Sequence, residues 1–155
     1  MFDKFFKIID GLNRHNVDYI LIGGYAVILY GYKRFTGDID LFIKNSDENL
    51  KNLRNALSDI YNDNYINEIT SSELKKYCVL RYGTPDNFNI DIIENLGEMS
   101  YNDIKFEVIE LNNIKIRVAT PDSLYKMKEN TMRPIDKMDI LFLKELINKR
   151  KNADL

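Results

Sequence analysis

Residues 19–43 read YILIGGYAVILYGYKRFTGDIDLFI, and this stretch decides the fold. An apolar run rich in β-branched and aromatic residues ends at Gly23-Gly24, as a buried strand entering a tight turn does. Tyr25 to Tyr30 fits a short helix, residues 33–37 form a basic loop, and residues 38–43 alternate polar with apolar. That alternation makes a second strand, with Ile39, Leu41 and Ile43 on one face and Asp38 and Asp40 on the other. Side chains two apart in a strand leave the same face, about 6.6 Å apart along it, so the aspartates form a pair suited to chelating a divalent cation. The glycines let backbone N–H groups approach an anion closely where a helix begins, and phosphate is the natural guest.

Working outward, Phe2, Phe5, Phe6, Ile9 and Leu12 recur at helical spacing and predict an amphipathic helix over residues 2–14. The first central strand is expected at 17–22. Asn45, with Glu48 three residues on, resembles a capping pair, followed by a helical stripe of Leu50, Leu53, Leu57 and Ile60. Residues 77–82 and 88–93 are strand-like and joined by Gly83-Thr84-Pro85-Asp86-Asn87, which suits a hairpin and lands Asp91 in mid-strand. A second hairpin is expected from 105–111 and 114–118 across Asn112-Asn113. Thr120-Pro121 opens a helix with Thr as N-cap, and Pro134 starts a last helix toward Lys149-Arg150-Lys151.

A chain of 155 residues is the size of one domain. It is read as a single unit over 1–155, with a core of sheet and helices over 1–118 and C-terminal helices over 119–150. The 24 acidic and 22 basic residues leave a formal charge of −2, which argues against nucleic-acid binding over the whole surface but allows a local basic cleft. The single cysteine, Cys78, cannot form an internal disulfide, and the N-terminus lacks the pattern of a signal peptide, so the cytoplasm is the expected location. The longest uncharged run, residues 19–32, falls short of the ~20 apolar residues of a membrane span and is broken by glycine.

Three features in this order, the diglycine turn, Asp38-Ile39-Asp40 and the later Asp91, resemble the DNA polymerase beta-like nucleotidyltransferase superfamily. The stretch TPDSLYKMKENTMRPIDKMDI, residues 120–140, is similar to the Pro-x-x-Leu…Lys…Arg-x-x-Asp-x-x-Asp tail of its small bacterial members, including relatives of abortive-infection toxins. The resemblance implies an α/β (α+β) nucleotidyltransferase fold, a mixed sheet with flanking helices and a short C-terminal helical pair. It implies Mg²⁺ or Mn²⁺ as cofactor, with Asp38, Asp40 and Asp91 as metal-binding and catalytic carboxylates, Asp91 as either ligand or general base. Phosphoryl transfer needs mainly positioning and charge neutralisation, which such ions supply. Gly23, Gly24, Arg34 and Thr36, with Lys128 and Arg133, are the implied nucleotide-binding residues. Many relatives carry serine where Gly24 stands, so phosphate binding here would rest on backbone donors.

The implied activity moves a nucleoside monophosphate from an NTP, ATP or another, to an acceptor hydroxyl, with pyrophosphate released. A macromolecular acceptor, tRNA or a partner protein as in toxin–antitoxin pairs, is preferred narrowly over an aminoglycoside or lincosamide antibiotic. A non-catalytic nucleotide-binding antitoxin or regulatory module is the rival from another class. Lys33 and Lys126 are weaker phosphate candidates. Asp136 and Asp139 would orient the cations or cap the last helix, with Asp139 read as a solvated helix position. His15 is read as surface capping, Cys78 as a buried strand residue, and Tyr77, Tyr82 and Phe88 as core.

Overall fold

The computed structural model describes residues 2–129 and 133–153. Its main sheet has six strands: β1 (Tyr19–Ile22), β2 (Asp38–Ile43), β3 (Val79–Gly83), β4 (Asn89–Ile93), β7 (Phe106–Leu111) and β8 (Ile114–Ala119), in the spatial order β3-β4-β2-β1-β8-β7. The sheet is mixed. β1 runs antiparallel to β2 and parallel to β8, β2 runs parallel to β4, and β3–β4 and β7–β8 are antiparallel hairpins. Two short strands, β5 (Asn95–Leu96) and β6 (Met99–Ser100), pair apart from it.

Among the described residues six α-helices accompany the sheet: α1 (Phe2–Arg14), α2 (Gly23–Leu29), α3 (Asp47–Ile60), α4 (Ser71–Tyr77), α5 (Pro121–Lys128) and α6 (Pro134–Ala153). The apolar stripe of α1 buries Phe5, Ile8, Ile9 and Leu12. Phe5 stacks on Tyr25 of α2 with ring centroids 4.5 Å apart, which seats the short helix behind the glycine turn. β1 is buried along its whole length, and Ile39, Leu41 and Ile43 fill the core beneath β2, so the face bearing the aspartates is the one left toward the cleft. No helix among the described residues is long and apolar enough to cross a membrane.

Three local readings are corrected. α3 is capped by Ser46, whose hydroxyl accepts the Asn49 N–H at 3.1 Å, while Asn45 donates instead to the Ser71 carbonyl and to Glu94. The serine is one residue nearer the helix and therefore sits where a side-chain oxygen reaches the third N–H. Tyr77 ends a helix rather than opening a strand, and Cys78 lies beyond it, half-buried, at a left-handed φ of +64°. Residues 71–76 carry no helical stripe that periodicity would show, because Leu74 is the one residue of α4 that is buried. Of the aromatic core candidates, Tyr82 is buried and Phe88 packs against the core, but Tyr77 is exposed.

Candidate active site

The site is built on one rung of the sheet. Arg81 of β3 pairs with Asp91 of β4, Asp91 with Asp40 of β2, and Asp40 with Ile22 of β1. Residues opposite one another in a ladder point to the same face, so register alone sets Asp40 and Asp91 side by side on neighbouring strands, about 4.8 Å apart. Asp38 follows on the same face two residues back, opposite Asn89, whose amide donates to it at 3.4 Å. All three predicted carboxylates thus meet.

Arg81 closes the arrangement, and it was absent from the sequence reading. Its Nε donates to Asp91 Oδ1 at 2.8 Å, its Nη2 to Asp91 Oδ2 at 3.0 Å, and the same Nη2 reaches Asp38 Oδ2 at 3.3 Å. The expected strands 77–82 and 88–93 would set Val79 opposite Asp91; instead the Thr84 N–H donates to the Phe88 carbonyl at 2.9 Å, which leaves 85–87 as the turn and sets Arg81 opposite Asp91.

Crowding of like charge marks Asp40. Burial above all, then the charges of Asp91 and Asp38, pushes its carboxyl up from 3.8 to about 7, against the opposing pull of Lys128. The same acids hold the Arg81 guanidinium above its ordinary range. No three His, Cys, Asp or Glu side chains among the described residues are gathered closely enough to be metal ligands as they stand. The donor set nonetheless fits a hard divalent cation, because Asp38, Asp40 and Asp91 share one face of the sheet and offer only carboxylate oxygen.

Gly23 has a reason the sequence reading did not give. It stands at φ +72°, and a β-carbon there would lie 2.0 Å from Oδ2 of Asp40, so the bare glycine makes room for the carboxylate. A β-carbon on Gly24 would come within 2.6 Å of Thr36 Oγ1 and 2.9 Å of Arg34 Nη2. The basic loop therefore folds directly against the diglycine turn, and a serine at 24 has no room as the loop stands.

The remaining cations converge on α6. Lys128 Nζ lies 3.0 Å from Asp136 Oδ1 and 3.0 Å from Asp139 Oδ2. Arg34 Nε lies 2.9 Å from Asp139 Oδ1 and its Nη2 donates to Oδ2 at 3.0 Å. Arg133 Nε lies 2.7 Å from Asp136 Oδ2. Asp139 is fully buried, which corrects its reading as a solvated position: three residues apart on a helix, Asp136 and Asp139 share a face, and that face is packed against cations from two other segments. Lys126 is exposed on α5 and Lys33 on its loop. His15 meets Asp59 through its Nε2 at the end of α1, away from this cluster.

Between the rung and α5–α6 lies a cleft of about 270 Å³ lined by Gly23, Asp38, Asp40, Asp91, Lys128 and Arg133 among others. A larger, more open hollow of about 600 Å³ beside Asp10, Asn13 and Arg117 holds none of the converging carboxylates. The smaller cleft is the one with the chemistry.

A family model described as "Nucleotidyl transferase of unknown function (DUF2204)" matches residues 1–155. Among solved structures, the chain is similar to the lincomycin-bound lincosamide antibiotic adenylyltransferase LnuA, at 17% identity and a TM-score of 0.59, over 93% of this chain and 96% of that one. It is also similar to an antigenic nucleotidyltransferase-like protein from Paracoccidioides brasiliensis, at 15% identity and a TM-score of 0.58, over 93% of this chain and 77% of that one. At such identities the likeness is one of fold. No curated protein sequence matches the chain.

Proposed function

The chain belongs to the family of nucleotidyl transferases whose model spans it, and from that premise we propose that Asp38, Asp40 and Asp91 are its catalytic centre, working with Mg²⁺ or Mn²⁺. The observation that carries this reading is the in-register pairing of Asp40 with Asp91, with Asp38 on the same face. A divalent cation held by these carboxylates would neutralise charge on the transferring group. The acceptor hydroxyl oxygen attacks the α-phosphorus of the NTP, the bond from that phosphorus to the bridging oxygen breaks, and pyrophosphate leaves. The hydroxyl proton passes to a carboxylate of the centre, and Asp91, read from the resemblance as either ligand or general base, is the one assigned to take it.

Lys128 and Arg133 line the cleft and supply positive charge toward the phosphates, Arg133 with an exposed guanidinium and Lys128 held from beneath by Asp136 and Asp139. Gly23 and Gly24 offer backbone approach at the turn. Arg34 and Thr36 act through position: Arg34 ties the loop to Asp139, and Thr36 braces it against Gly24.

For the acceptor, the favoured reading is a hydroxyl of a macromolecule, tRNA or a partner protein of the toxin–antitoxin kind. A cleft of about 270 Å³ is small beside the several hundred Å³ that usually enclose a drug-sized ligand, so the acceptor brings its own shape from outside. The second reading is a small hydroxylated antibiotic. It is favoured by a fold neighbour of almost the same extent that was solved with lincomycin bound, and by a second hollow of about 260 Å³ that shares Arg81 with the first.

One experiment separates these. The protein is incubated with labelled NTPs, Mg²⁺ or Mn²⁺ and cell extract, in native form and as Asp40→Ala, and the label is followed into RNase-sensitive, protease-sensitive and ultrafiltrable fractions. Transfer by the native chain, reduced on the order of 10³-fold or more in the variant, supports the enzyme. NTP binding with no transfer into any fraction overturns it in favour of a nucleotide-binding module.

A further inference from the structure

We propose that Arg81 is a built-in counterion on the carboxylate cluster, and that its guanidinium must leave Asp91 and Asp38 before a divalent metal loads. This rests on the assignment of Asp38, Asp40 and Asp91 as the metal-binding acids. Arg81 contributes one positive charge to three carboxylates, spread over two of them by three hydrogen bonds. It takes up both oxygens of Asp91 and one of Asp38, the oxygens a hard cation would use. Guanidinium and metal therefore compete for the same lone pairs.

Two features make exchange feasible. The Arg81 side chain is 57% exposed on a strand at the edge of the sheet while Asp91 is 13% exposed, so the guanidinium has water to move into whereas the acid it leaves stays fixed on β4. It also lines two hollows, the carboxylate cleft and the one beside Tyr65, Glu73 and Tyr82, so the released side chain has open space beside its present place. Its release leaves a mobile cation at the mouth of the cleft, available to an incoming anion. A purely structural staple between β3 and β4 explains less: five register pairs already close that hairpin, and a staple has no need to reach past β4 to Asp38 on β2.

The test is metal affinity without nucleotide. Mn²⁺ is titrated into the native protein, Arg81→Gln, Arg81→Lys, Asp40→Ala and, as a remote control, Arg14→Gln, and free Mn²⁺ is read by electron paramagnetic resonance. Arg81→Gln should bind Mn²⁺ roughly five- to tenfold more tightly than the native chain, Arg81→Lys should fall between them, and Arg14→Gln should match the native value. Urea midpoints check that each variant is folded, and if Arg81→Gln is not, Arg81→Lys carries the comparison. Equal or weaker affinity in the Arg81 variants overturns the proposal. If Asp40→Ala loses Mn²⁺ while Arg81→Gln equals native, only the role of Arg81 falls. If Mn²⁺ binds none of these proteins, or binds Asp40→Ala as well as native, the metal assignment falls with it.

Discussion

Gly23 and Asp40 occupy what would otherwise be the same space: a β-carbon at 23 would lie 2.0 Å from Asp40 Oδ2 and 2.8 Å from its Cγ. The diglycine turn and the second aspartate of Asp-x-Asp are thus one device, joined across the β1–β2 ladder. Replacing Gly23 by Ala must displace the carboxylate and also forces an L residue to φ +72°. We expect Gly23→Ala to cut nucleotide transfer by roughly 10²-fold and to cost about 1–3 kcal/mol of stability, read from turnover and urea denaturation. Native-like activity would mean the carboxylate position is not critical.

Asp139 is buried between Arg34 and Lys128, so its removal takes the carboxylate from Arg34 and leaves Lys128 with Asp136 alone. Asp139→Ala should cost about 3–5 kcal/mol, and Asp139→Asn less, because the amide oxygen still accepts. Denaturant midpoints of the two variants test this. A loss below about 1 kcal/mol in the alanine variant would show the position to be hydrated after all.

Asp40 gives the metal-free protein a pH signature. Its folded-state value, about 7, stands above the ordinary 3.8, so protonation favours the fold: the contribution is whole below 3.8 and is lost as pH rises through about 7. Asp40→Asn carries no such titration. In chelator-treated samples it should flatten the stability slope between pH 4 and 7 and exceed the native chain at pH 8 by about 2 kcal/mol. Parallel native and variant curves would refute the assignment.

Cys78 ends α4 in the left-handed region at φ +64°, where a β-carbon is a burden and glycine is not. Cys78→Gly should therefore stabilise the protein by about 0.5–1 kcal/mol, whereas Cys78→Val should destabilise it. Thermal melts of both variants under reducing conditions decide the matter.

What the sequence disclosed follows from how local each signal is. The alternation of residues 38–43 and the Thr120-Pro121 helix start are contained within a few residues, and both elements stand where the pattern puts them. Asp139 was misread because its partner Arg34 lies 105 positions away, and a helix pattern cannot show which polar face meets buried cations. Arg81 was missed because its importance comes from strand register rather than from any motif. The role of Gly23 was read as approach to phosphate, and its contact with Asp40 needs the β1–β2 pairing to be seen at all.

Because the reactive acids sit on strand rungs and not on loops, their meeting is written in main-chain hydrogen bonds. A slip of one residue between β2 and β4 would turn Asp91 to the opposite side and leave Ile90 or Ile92 in its place. Turnover in this chain is consequently a reporter of alignment: changes in the distant 84–87 bend that shift the hairpin should silence the enzyme while leaving its helices and overall compactness intact.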